Sequence, residues 1–135
     1  MEEQKHTIAI DFDSTLTMNN IFPNIGEPRM WLIKKAIEWR KRGDKLILWT
    51  CREDIPHGIK CYWSPRNYLT EAVEWCKGFG LEFDAINASI DEEAMPDYKW
   101  GRKIFANLYI DDSSVVFSDL HENFRSLNDK ALILE

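Results

Sequence analysis

Short apolar runs alternate with longer stretches of helical periodicity along this chain of 135 residues. Thr7-Ile8-Ala9-Ile10 is a run of strand length that stops abruptly at Asp11. A loop or flap rich in Pro, Gly and Asn follows at about residues 18–28. Pro28 suits the first turn of a helix in which Leu32, Ile33, Ala36 and Ile37 recur at helical spacing, and Gly43 ends it. Lys45 to Thr50 is a second apolar run, of the kind buried on both faces of a sheet. After an irregular stretch from Cys51, Ser64-Pro65 offers a cap and first-turn pair for a second helix. Leu69, Ala72, Val73 and Cys76 would face the core there, and Gly78 or Gly80 would close it. Phe83–Asn87 and Phe105–Ile110 read as third and fourth strands, separated by a polar, acidic loop from Ala88 to Gly101. A last helix around Asp119–Ser126 and a short strand at Ala131–Leu134 complete the expected order.

Strands alternating with helices imply an α/β fold, a three-layer Rossmann-like domain with a mainly parallel central sheet. No repeat, linker or shift in composition divides the chain, so residues 1–135 are expected to form a single domain with no separate cap. Ligands of such sheets bind beyond the carboxyl ends of the strands, where the strand order reverses. The rule gives scattered polar residues a common address. Asp11 and Asp13 follow the first strand, Thr50 ends the second, and Asp111-Asp112 end the fourth. The i, i+2 spacing of Asp11 and Asp13 sends both carboxylates to one side of an extended chain. Acids so placed repel unless a cation lies between them or they share a proton.

Composition narrows the function classes. The chain is 44% hydrophobic with 6 Trp and 7 Phe, which points to a packed core and excludes disorder. A net charge of -6 weighs against non-specific binding to nucleic acid or an anionic membrane. Met1 to His6 lacks the apolar core of a signal peptide, and no segment approaches the ~20 apolar residues of a membrane span. Cys51, Cys61 and Cys76 are odd in number and not in zinc-like spacing, so free thiols in a reducing, cytoplasmic compartment are expected.

Four segments taken together carry a family resemblance: Asp11-Phe12-Asp13-Ser14-Thr15-Leu16, Leu48-Trp49-Thr50-Cys51-Arg52, Lys103, and Tyr109-Ile110-Asp111-Asp112. In that order, at those strand ends, they resemble the motifs of the haloacid dehalogenase-like phosphohydrolases, over about residues 7 to 113. With only a flap after the first motif and a loop before the lysine, the chain is similar to small capless members. The resemblance implies a phosphatase in which Asp11 is the nucleophile and forms an aspartyl-phosphate. Asp13 would protonate the leaving oxygen and then deprotonate the attacking water. Mg2+ would be held by Asp11, the backbone carbonyl of Asp13 and one acid of Asp111-Asp112, with Asp112 as the direct ligand and Asp111 behind it. Thr50, with the amide of Cys51, would bond a phosphoryl oxygen, and Lys103 would offset negative charge, with Lys99 as its rival. Ser14 departs from the family pattern, in which Gly is common at a tight turn.

The loop at about residues 52–66 leaves from the second strand beside this address. Arg52, Lys60, Trp63 and Arg66 are its candidate substrate-binding residues, gripping a leaving group by ion pairing or stacking. The competing reading is that Tyr62 and Trp63 only pin the loop to the body. Cys51 reads more simply as a packing residue than as a redox thiol. His57 and His121 have no ligand-spaced partners, and the basic residues from Lys34 to Arg42 read as the wet face of the first helix. The expected partner is a phosphorylated substrate, with nucleic acid entering only as a nucleotide or a phosphorylated end. A homo-oligomer would be one way to cover an open site. Two alternatives stay open: a signalling module that holds phosphate on an Asp, and a catalytically silent scaffold of the same fold.

Overall fold

Ile8 and Ile10 face one side of the first strand and Ala9 the other, and all three are fully buried. That double burial is what places this strand at the centre of a sheet. The structure, a computed structural model, describes residues 5–92, 104–111 and 115–117. In chain order the elements are β1 (Thr7–Ile10), β2 (Thr17–Met18), β3 (Glu27–Pro28), α1 (Met30–Lys41), β4 (Lys45–Leu48), β5 (Asp54–Ile55), β6 (Arg66–Asn67), α2 (Tyr68–Gly78), β7 (Ala85–Ile86), β8 (Leu108–Ile110) and β9 (Val115–Phe117).

The main sheet has the order β7-β4-β1-β8-β9. Its first four strands run parallel, with Ile10 paired to Leu48 on one side and to Ile110 on the other. β9 turns back antiparallel on β8, pairing Val115 with Ile110. Leu32, Ile33, Ala36 and Trp39 of α1 and Ala72 and Cys76 of α2 pack with Ile8, Ile10, Leu46, Leu48, Leu108 and Ile110 on one face. Ala9 and Ile47 on the opposite face meet Ile104, Ala106 and, less completely buried, Ile90. Among the described residues no α-helix lies on that second face, and nothing forms a separate cap. None of their helices is long and apolar enough to cross a membrane. Burial pushes the Cys76 thiol up to about 12, so this cysteine is a packing residue.

Several boundaries differ from the sequence expectation. Pro28 lies in β3, paired with Thr17, and the helix begins at Met30. An edge ribbon tolerates a residue without an amide donor, so proline fits there as well as in a first helical turn. The second helix begins at Tyr68 and not at Ser64-Pro65, because Arg66 and Asn67 are drawn into pairing with Asp54 and Ile55. Its first turn is capped from a distance: the Asp54 carboxylate accepts the amides of Leu69 and Thr70 at 3.0 and 2.9 Å and the Thr70 hydroxyl. Those bonds, the hydroxyl's first, hold the Asp54 carboxyl below its ordinary value. The β8–β9 hairpin was not anticipated. The expected last helix at 119–126 and last strand at 131–134 lie outside the described residues.

Candidate functional site

From β1 the chain crosses to β4 and β7 on one side of the sheet, then returns to β8 on the other. The strand order therefore reverses between β1 and β8, which is where α/β sheets open a crevice for ligands. The Asp11 amide donates to the Ile110 carbonyl at 2.9 Å, and the Trp49 amide donates to the Ile10 carbonyl at 2.9 Å. These bonds carry the pairing one residue past each strand. Asp11 and Asp111, which directly follow paired Ile10 and Ile110, thus leave neighbouring strand ends at the crevice. Thr50 leaves from β4, on the other flank of β1.

After Asp11 the chain makes a tight turn whose shape is fixed by its own side chains. Ser14 has φ 65, the left-handed region where glycine is least strained. Its amide donates to Thr17 Oγ1 at 3.1 Å and its hydroxyl to Asn20 Oδ1 at 3.1 Å. The hydroxyl bond gives the serine a local compensation that glycine would lack. The buried Thr15 hydroxyl donates to Asp11 Oδ2 at 3.3 Å and so orients that carboxylate.

The flap at 18–28 is a short ribbon of β2 and β3. Its return strand is tied to the turn by Arg29, whose guanidinium donates to the carbonyls of Thr15 and Ser14 at 2.6 and 3.3 Å. A Cβ at Gly26 would sit 2.1 Å from the Met18 carbonyl oxygen, so this crossing admits only glycine.

Asp13 is held by Arg52. Nε donates to Oδ2 at 2.9 Å and Nη2 to Oδ1 at 2.8 Å, a two-pronged pair, while Asn20 Nδ2 adds a bond to Oδ1 at 3.2 Å. The Arg52 head also donates to the carbonyls of Pro23 and Tyr68 at 3.2 and 3.4 Å. It lies over the rings of Phe12 and Phe22, 5.2 and 5.0 Å from their centroids. Expected to reach for a leaving group, Arg52 is instead only 2% exposed and committed to protein acceptors. A charged residue in a loop reads as solvent-facing by default. The signal that pointed inward was the need of Asp13 for a cation.

The Thr50 amide donates to Asn87 Oδ1 at 2.8 Å, and its hydroxyl oxygen accepts the Arg52 amide at 3.1 Å. The hydroxyl proton faces no acceptor among these bonds and can serve a ligand. Cys51 and Lys60 are exposed. Trp63 packs edge-on against Phe22 of the flap at 4.8 Å while remaining 45% exposed, so it pins the loop and still offers surface. Arg66 is exposed and bonded through Nε and Nη2 to Glu71 at 2.8 and 2.7 Å. These hydrogen bonds raise the Arg66 pKa and lower that of Glu71. Lys99, Lys103 and Asp112 lie outside the described residues. Asn20 and Phe22 were missed in the sequence, where a flap of Asn and Phe carries no signal of its own.

Among the described residues no three His, Cys, Asp or Glu side chains cluster closely enough to hold a metal ion. The acids that directly follow the two neighbouring strand ends, Asp11 and Asp111, bring carboxylate oxygen to this crevice. Such a set suits a hard cation that keeps several waters and takes phosphate oxygens from its substrate.

No family model matches the chain, and no curated protein matches it. Its fold is similar to the solved structure of a conserved protein from Bacteroides thetaiotaomicron, with a TM-score of 0.63 and 35% sequence identity over 81% of this chain and 77% of that one. At that identity and coverage, the chain belongs to the family of the conserved Bacteroides thetaiotaomicron protein.

Proposed function

We propose that the chain is a Mg2+-dependent phosphomonoester hydrolase of the haloacid dehalogenase-like type. The observation that carries this reading is the placement of Asp11 and Asp111 on adjacent strand ends at the switch point, with Asp13 two residues on. Asp11 attacks phosphorus in line, the ester oxygen leaves with a proton from Asp13, and phosphate remains on Asp11. Water then attacks phosphorus, gives its proton to Asp13, and releases phosphate and the Asp11 carboxylate. Asp11, the Asp13 carbonyl and one acid of Asp111-Asp112 would hold Mg2+, which would supply positive charge against the phosphoryl oxygens. Thr50 donates its hydroxyl to one of those oxygens, and Lys103, by resemblance, neutralises charge. Arg52 is a positioning residue, since it acts through Asp13. Acid duty requires Asp13 to leave the Arg52 fork and turn to the leaving oxygen, whereas the resting pair holds the side chain ready for the water step. The reading also favours the cytoplasm, where the three free cysteines stay reduced.

Turnover of para-nitrophenyl phosphate with Mg2+ tests the proposal. Asp11→Asn is expected to lose at least about a thousandfold in kcat while its circular dichroism spectrum is unchanged. Full activity in that variant overturns the assignment. The commitment of both Asp13 oxygens to Arg52 and Asn20 favours a second reading, a module that holds phosphate on Asp11 and signals. The lifetime of the phosphorylated protein separates the two: rapid loss supports the hydrolase, and persistence supports the module.

A further inference from the structure

We propose that the cavity between the flap and the 52–66 loop selects the leaving group, accepting aromatic alcohols without charge and rejecting those that carry a negative charge of their own. This rests on the hydrolase reading above. The cavity holds about 400 Å3, within the range of small-molecule sites. Cys51 and Arg52, the residues that follow Thr50, are part of its lining. Arg52 is also the residue that grips Asp13, so the proton donor of the hydrolase reading rests beside this cavity.

The walls are apolar and ring-bearing. Phe22 comes from the flap, Ile55, Ile59 and Trp63 from the loop, and Tyr68 from the start of α2. Phe22 is fixed on two sides, stacked on Tyr68 at 5.4 Å and edge-on to Trp63 at 4.8 Å. Trp63 keeps 45% of its surface exposed, and Ile59 58%. A flat apolar group would bury both and meet aromatic partners at favourable ring geometry.

Charge sets the other half of the selection. Among the described residues lining the cavity, Arg52 is the sole cation, and Asp13 and two backbone carbonyls take four of its five N–H donors. The acids Glu53 and Asp54 line the same space. Arg66, which a sequence reading would assign to an anionic leaving group, is bonded to Glu71 instead. A carboxylate or second phosphate entering here would meet Glu53 and Asp54, with the one lining cation already paired to Asp13.

The test compares kcat/KM for phenyl phosphate and para-carboxyphenyl phosphate. Wild-type protein is expected to favour the uncharged ester by about tenfold, the effect of one like-charge contact at a partly screened site. Glu53→Lys is expected to raise the charged ester relative to phenyl phosphate by about the same factor. Equal use of the two esters by wild type overturns the inference, as does a preference that Glu53→Lys leaves in place. If neither ester turns over, the hydrolase reading fails, and ligand binding then decides the cavity alone. Benzyl alcohol, but not benzoate, is expected to shift the NMR signals of the Trp63 ring. Shifts with both probes, or with neither, overturn the selection.

Discussion

Arg52 and Arg66 stand at the two ends of the same loop, and each meets a carboxylate through Nε and Nη2. The Arg52 side chain is 1% exposed and its partner Asp13 28%, whereas Arg66 and Glu71 are 40% and 35% exposed. Chemistry and distance are alike, so the surroundings decide what each pair does. An exposed pair exchanges water for a partner at little net gain, typically below about 1 kcal/mol. A buried guanidinium has no water to return to, and losing one member of such a pair leaves the other uncompensated. The inner pair therefore fixes the position of Asp13, and the outer one trims the foot of α2.

The sharpest way to break this contrast is Arg52→Ala. It is expected to cost about 3 kcal/mol of stability in urea unfolding, and the freed Asp13 to lower kcat about a hundredfold with a smaller change in KM. Arg52→Lys restores the charge but not the fork, so it is expected to recover stability more than turnover. A variant that unfolded like wild type and kept its kcat would end the distinction between the two arginines.

Asp54 lies between these extremes, exposed yet bonded to three donors at the start of α2. Asp54→Ala is expected to cost about 1 kcal/mol. Its native carboxyl titrates below the unfolded one, so its contribution is complete above the unfolded value and drains away as pH falls through the lowered native value. The wild-type and Asp54→Ala unfolding curves should accordingly converge in acid. A gap that stayed constant with pH would deny the cap its charge. The smallest effect belongs to Arg66→Ala, a slight loss of stability at low salt that shrinks further at high salt. A larger loss, insensitive to salt, would show that the outer pair is as structural as the inner.

The sheet was legible because β1 and β4 are continuous apolar runs and because α1 repeats its apolar residues at helical spacing. Gly43, with φ 106, ends α1 as read. The position of Asp11 beyond a central strand followed from the same run of residues. Less legible was everything settled by contacts distant in sequence. Pro28 and Arg66 carry local preferences that pairing with Thr17 and Ile55 overrides. The inward turn of Arg52 depends on Asp13, Pro23 and Tyr68, all far along the chain or in another element. Trp39 is wholly buried on α1, although its neighbours Glu38 and Arg40 make that stretch look wet.

The ribbon of β2 and β3 brings the two roots of the flap together, and Arg29 fastens the returning root to the acid-bearing turn. Because the roots are already closed, doubling the length of the tip adds only about 0.6 kcal/mol of closure entropy. The tip can therefore lengthen among descendants without opening its roots, provided that Asn20 and Pro23 keep their bonds to Asp13 and Arg52. The fold thus has a socket at which new recognition pieces can be grafted, and a side chain at Gly26 would jam the fitting.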